Sequence, residues 1–153
     1  MTTPDAPPTP EEFALLHPLR VRWAEVDPQG IVFNPNYFTY FDLGMTEYMR
    51  AIGLPYPDGL APHGTDIFAV NATANFRASA RFDEEIRIGA RAARLGTTSL
   101  RFRMAVFRGA ELLVDGEMVY VNAARDGDRR PTPLPDPLVE RILAFEKVAP
   151  ERK

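Results

Sequence analysis

The sequence predicts an α+β fold in which a long antiparallel sheet wraps around one central helix. Three observations carry that expectation. Phe38, Phe41, Met45, Tyr48 and Ile52 recur at three- and four-residue steps, the period of a helix with one buried face. Beyond Gly64 the period changes to two, with apolar residues on alternate positions in four successive runs. No further long helical pattern separates those runs, so repeated parallel βαβ units are excluded.

Taken in order, residues 1–14 begin Pro- and Thr-rich and are expected to form a disordered tail. Residues 15–153 form a single domain, a size one hydrophobic core can hold. Leu19 to Ala24 alternates Arg20 and Arg22 against Leu19, Val21 and Trp23, a short strand. Pro28, Gly30 and Pro35 then interrupt regular structure. The helix starts between Asn34 and Asn36 and stops at Gly53, with Pro55 and Pro57 beyond.

Four strands follow a Pro/Gly-rich connector over Leu54–Gly64. Phe68, Val70, Ala72, Ala74 and Phe76 share one parity. Ile86 to Ala92, Leu100 to Val106, and Leu112 to Tyr120 repeat the pattern, with Gly96 and Gly109 at the turns. Asp126–Pro137 reads as a charged loop. Leu138, Ile142 and Phe145 mark a short C-terminal helix.

Composition narrows the chemistry. Of 153 residues, 45% are hydrophobic, and 18 Lys and Arg face 21 Asp and Glu for a net charge of −3. That balance offers no broad field for nucleic acid. The chain has no cysteine, which excludes disulfides, a thiolate nucleophile and sulfur-bound metal. No apolar run reaches membrane-spanning length, and the cytoplasm is the expected setting.

One segment carries reactive chemistry: Asp27-Pro28-Gln29-Gly30-Ile31-Val32-Phe33-Asn34-Pro35-Asn36-Tyr37-Phe38. A carboxylate in a rigid turn leads into a helix start, whose free N–H groups suit a developing oxyanion. Asp27 is the candidate catalytic residue, either nucleophile or general base, against the alternative of an Asx turn with no catalytic duty. The Asn34 backbone N–H is the candidate oxyanion donor. Gly30 allows a close turn, and Gln29 is placed to orient water or a carbonyl. Phe33 and Tyr37 are candidate contacts to an acyl group, and His63 is a further candidate to line the same pocket.

Glu25 shares strand-face spacing with Asp27, so repulsion between them would raise one carboxyl. Asp42 and Glu47 lie about 140° apart around the helix and form no compact pair. Among many arginines, Arg94 and Arg130 are the candidates for pairing with phosphates of a ligand. Two separated histidines make no metal signature, and no metal is expected.

The run Val21-Arg22-Trp23-Ala24-Glu25-Val26-Asp27-Pro28-Gln29-Gly30-Ile31-Val32, followed by Asn34-Pro35-Asn36-Tyr37-Phe38, resembles the hotdog-fold acyl-CoA thioesterases of the 4-hydroxybenzoyl-CoA thioesterase family. The likeness extends through Leu95-Gly96-Thr97-Thr98-Ser99 to Arg130-Pro131-Thr132-Pro133. It implies a hotdog fold and hydrolysis of an acyl-CoA to free acid and CoA. Asp27 then stands at the catalytic aspartate and Asn34 at the helix-start amide. It also implies no separate cofactor, since CoA belongs to the substrate, and a homodimer or homotetramer with clefts between subunits. A non-catalytic acyl-CoA binding protein using the same cleft is the alternative.

Overall fold

Helix α1 spans Asn36–Ala51 and buries Tyr37, Tyr40, Phe41, Gly44, Met45, Tyr48 and Met49 along one side. It stops where the helical stripe ends, at Gly53, whose φ of +81° favours glycine. The structure is a computed structural model and describes residues 6–153. Strands β1 (Leu15–Arg20), β2 (Thr65–Phe76), β3 (Glu85–Leu95), β4 (Ser99–Arg108) and β5 (Glu111–Ala124) follow the order β1-β3-β4-β5-β2. All of these pairings are antiparallel. Helix α2 covers Asp136–Phe145, and the two-residue β6 (Glu151–Arg152) runs parallel to the end of β3.

The sheet's concave face receives α1. Ile86, Ile88, Ala90, Ala92, Phe102, Met104 and Val106 are fully buried against it. Each large apolar side chain sealed this way contributes on the order of 1.5–3 kcal/mol. Tyr48 stacks edge-on with Phe102 at 4.9 Å and Phe145 at 5.3 Å, so α2 closes the end of the core. The Tyr48 hydroxyl donates to Glu146 Oε2 at 2.6 Å, and the Ala92 N–H donates to the same oxygen at 2.7 Å.

Three expectations are corrected. The first strand lies earlier, at Leu15–Arg20, because edge position lets it carry Pro18 without losing an inner hydrogen bond. Trp23–Glu25 instead forms a 3₁₀ turn, capped reciprocally by Arg22 and Glu25. The folded unit also begins before residue 15. Phe13 is 1% exposed and meets Phe107 at 5.8 Å, resting on Gly89, where any Cβ would collide with its ring. Residues 1–5 of the expected tail lie outside the described residues.

The single parity expected for Phe68–Phe76 also fails. The β2–β5 register slips between Ala69 and Asn71, so residues on either side of Val70 do not share one face. Ile67 and Ala74 pack on the core, whereas Val70 is 59% exposed. Strand β2 is an edge, exposed from Ala69 through Thr73. Among the described residues no helix is long and apolar enough to cross a membrane.

Candidate active site

The segment between β1 and α1 is a small hairpin. The Phe33 N–H donates to the Glu25 carbonyl at 2.9 Å, Val26 bridges Val32, and the Asp27 N–H donates to the Ile31 carbonyl at 2.9 Å. Its tip closes when the Gly30 N–H reaches the Asp27 carbonyl at 2.9 Å, with Gly30 at φ +78°. The hairpin leans on the connection before β3: Ile31 bridges Arg81, and the Val32 N–H donates to the Ala80 carbonyl at 2.9 Å.

Asp27 is half-buried, and its Oδ1 accepts the Gln29 N–H at 2.8 Å. Oδ2 makes no hydrogen bond among the described residues, so one carboxylate oxygen is held while the other is open to a reacting group. Gln29, Gly30, Phe33 and Asn34 are exposed around it. The Asn34 N–H has no hydrogen-bond partner among the described residues. The Asn36 N–H is already committed to the Phe33 carbonyl at 2.8 Å. One free amide therefore stands just before the positive end of α1.

Glu25 holds these two features together, a role its sequence spacing did not reveal. It is 8% exposed and accepts hydrogen bonds from the Arg22 N–H (2.8 Å), the Arg22 guanidinium (2.6 and 2.9 Å) and the Tyr40 hydroxyl (3.0 Å). Its carbonyl accepts Asn36 Nδ2 at 2.9 Å. Burial pushes the Glu25 carboxyl up, but the bonds from Arg22 and Tyr40 outweigh it and hold the group below the ordinary glutamate value. The expected repulsion from Asp27 does not govern it. Arg22 three residues ahead, in capping-box spacing, was the available signal.

Tyr37, expected to touch a ligand, is 2% exposed, and its hydroxyl accepts the Ala80 N–H at 3.1 Å. Within this chain it is a packing residue, set between Tyr40 and Phe76. His63, Arg94 and Arg130 lie away from the Asp27 turn. His63 ends a 3₁₀ turn beside Thr65, whose strand partner is Ala124, and the Ala124 N–H donates to the Arg130 carbonyl. Arg94 stands near the end of β3, about 30 Å of strand from Glu85 at the hairpin end. One chain thus carries the carboxylate at one end of its sheet and these basic residues at the other.

A cavity of about 330 Å³ opens between α1 and β2, lined by Asp42, Met45, Met49, Tyr56, Ile67 and Tyr120 among others. Burial, and secondarily the Asp42 charge, pushes the Tyr120 hydroxyl up, so it stays a neutral donor. Among the described residues no group of three or more His, Cys, Asp or Glu side chains is placed to hold a metal ion.

Residues 29–128 match the sequence profile of the thioesterase superfamily, a span that starts two residues after Asp27. A solved protein of Pseudomonas aeruginosa is 28% identical, with TM-score 0.81, covering 93% of this chain and 98% of its own. A thioesterase of Thermus thermophilus, solved with coenzyme A and zinc, is 28% identical with TM-score 0.76 over 90% of this chain and 98% of its own. The 4-hydroxybenzoyl-CoA thioesterase of Pseudomonas is 25% identical with TM-score 0.75, covering 83% and 97%. The wrapped helix, the exposed carboxylate turn at its head and a profile match over most of the folded chain agree: the protein belongs to the thioesterase superfamily and has the hotdog fold.

Proposed function

We propose that the protein hydrolyses an acyl-CoA thioester, with Asp27 as the reacting carboxylate and the Asn34 N–H as oxyanion donor. The observation that carries this reading is the hairpin that leads from Asp27, one of whose oxygens makes no hydrogen bond among the described residues, to an Asn34 amide at the head of α1 that has no partner among them. The carboxylate either attacks the thioester carbon, giving an anhydride that water opens, or takes a proton from an attacking water. In both routes negative charge builds on the carbonyl oxygen, where a fixed N–H donor lowers the barrier, and CoA leaves as the thiol. The CoA bound by the Thermus thermophilus relative supports CoA as the carrier.

The cleft is completed by a second copy. Strand β2 offers a free edge, and antiparallel pairing with its own copy across a two-fold axis sets the His63 end of one chain beside the Phe76 end of the other. That arrangement carries the partner's α1–β2 cavity toward Asp27 as an acyl chamber. It also returns His63 and Arg130 to the neighbourhood of a reacting thioester. Gln29 and Phe33, exposed at the mouth, contact the substrate. Release of free thiol from acyl-CoAs by the purified protein tests the reading. Saturable binding without turnover across short, branched, medium and aromatic thioesters would make the protein a binding module instead.

A further inference from the structure

Residues 77–84, the connection between β2 and β3, form neither helix nor strand, yet the Asp27 hairpin rests on them. Ala80 is the point of contact. It is fully buried, its carbonyl accepts the Val32 N–H at 2.9 Å, and its own N–H donates to the Tyr37 hydroxyl at 3.1 Å. One residue therefore grips the returning arm of the hairpin and the first turn of α1 together. Ile31 bridges Arg81 next to it, and the Ile31 carbonyl is the acceptor of the Asp27 N–H. Whatever fixes residues 79–81 thus fixes the spacing between Asp27 and the Asn34 amide by a second route, separate from Glu25.

The two ends of the connection are pinned by backbone bonds. The Arg77 and Ala78 N–H groups both donate to the Leu113 carbonyl of β5, and Val21, just past β1, exchanges bonds with Asp83 and Glu84. The middle is held differently. Among the described residues, Arg108 at the end of β4 is the one residue of the sheet that hydrogen-bonds to residues 79–84 of the connection through its side chain. Its Nη1 donates to the Ser79 carbonyl at 3.1 Å and to the two Glu84 oxygens at 2.8 and 3.1 Å. Glu84 Oε1 in turn accepts the Arg81 N–H at 2.6 Å. The residues on both sides of Ala80 converge on a single guanidinium.

We propose that Arg108 is a positioning residue for the reaction at Asp27, acting through Glu84 and residues 79–81; the proposal rests on the reading of Asp27 and Asn34 given above. The other edge of the guanidinium is aimed from the sheet: Nε and Nη2 donate to Glu111 Oε1, at the start of β5, at 3.1 and 2.8 Å. Serving two carboxylates and a carbonyl at once takes the planar fork of an arginine, whereas a lysine is a point donor. Arg108 and Glu84 are each about a third exposed, so solvent screening leaves their pairing a modest share of stability. What the pair supplies is direction. It sets where Ala80 stands, and Ala80 sets both halves of the site.

Amide hydrogen exchange and steady-state thiol release from acyl-CoAs, both well below the melting temperature of each variant, test this. In Arg108→Met, exchange over residues 25–34 is expected to speed at least about fivefold while residues 45–51 and 99–106 keep their rates. The same variant is expected to lose roughly tenfold or more in kcat per folded molecule, with KM held within about twofold. Arg108→Lys keeps one donor and is expected to recover part of that loss. Arg108→Met/Glu84→Gln should be no slower than Arg108→Met, because both side chains act through one tie. Glu111→Gln keeps an acceptor for Nε and Nη2 and should match the wild type in both measurements. Should Arg108→Met fold poorly, Arg108→Lys and Glu84→Gln make the same comparison. Unchanged hairpin exchange, faster exchange throughout the chain, or a normal kcat in Arg108→Met overturns the proposal. A wild-type protein that turns over no acyl-CoA would remove the acyl-CoA reading, and the exchange rates alone then decide whether Arg108 holds the hairpin.

Discussion

The Tyr40 hydroxyl donates to the Glu25 carboxylate at 3.0 Å, tying the first turn of α1 to the hairpin that presents Asp27. Glu25 therefore sets the geometry between the carboxylate and the oxyanion amide without touching either reacting group.

Removing that tie is expected to cost activity more than stability. Tyr40→Phe leaves Glu25 with Arg22 and destabilises the fold by about 1 kcal/mol. Glu25→Gln strips the Arg22 pair and costs about 1–3 kcal/mol. Both lower kcat, by roughly 10- to 100-fold for Glu25→Gln, because small displacements of a positioned group weaken the transition state. Thermal melts and steady-state kinetics check the pair. A Glu25→Gln enzyme with normal kcat would detach the hairpin from catalysis.

Gly44 marks the closest approach of α1 to the sheet. A Cβ there would stand 2.9 Å from Ile88 Cγ2 and 3.2 Å from Met104 Cε. Gly44→Ala gains up to about 1 kcal/mol of helix propensity but overpacks a filled core at about 1–3 kcal/mol. Net destabilisation of roughly 1–2 kcal/mol is expected by chemical denaturation. A stabilised variant would show that the core yields more readily than this packing implies.

What could be read from the chain followed the range of the interactions involved. The α1 stripe and the stop at Gly53 are local patterns, and the structure repeats them from Phe41 through Ile52, whereas Phe38 is exposed and Tyr37 and Tyr40 fill the buried face of the first turn. The Val70 bulge is not local: it arises where β2 pairs with β5 in a slipped register, so no alternation within β2 announces it. Phe13 was hidden because one aromatic residue barely alters a Pro-rich composition, and its seat is made by Gly89 and Ala105 some 76 to 92 positions on. Around the site, the turn and helix start were legible as motifs. Glu25 was legible only through Arg22 three residues ahead, since its other partners, Asn36 and Tyr40, lie in α1, 11 and 15 positions on.

The β2 edge supplies a test of assembly. Val70, 59% exposed, sits in the stretch offered to a second copy. Val70→Glu places two carboxylates near the two-fold axis. It is expected to shift the protein toward monomer in sedimentation experiments and to lower turnover at least tenfold, with little change in the fold. A monomeric variant with full activity would return the whole site to one chain.

Stability carries a pH signature at Glu146. Burial pushes its carboxyl above the ordinary glutamate value, although the bonds from Tyr48 and Ala92 pull the other way. The folded chain then holds this proton to higher pH than the unfolded chain. Stability from this group is present below the ordinary glutamate value, near 4.3, and is lost as pH rises through the folded value. Glu25 has the opposite sign: its contribution is present above the ordinary value and lost as pH falls through its lowered one. Glu146→Gln should remove only the first slope. Melting temperatures of both proteins from pH 4 upward check it, and an unchanged pH profile in the variant would contradict the assignment.

The most direct measurement is thiol release from a panel of acyl-CoAs by wild-type and Asp27→Asn proteins side by side. Turnover of at least one acyl-CoA by the wild type is predicted, with kcat lower by about 100- to 10,000-fold in the variant at an unchanged melting temperature. Equal turnover by the two proteins would contradict Asp27 as the reacting carboxylate.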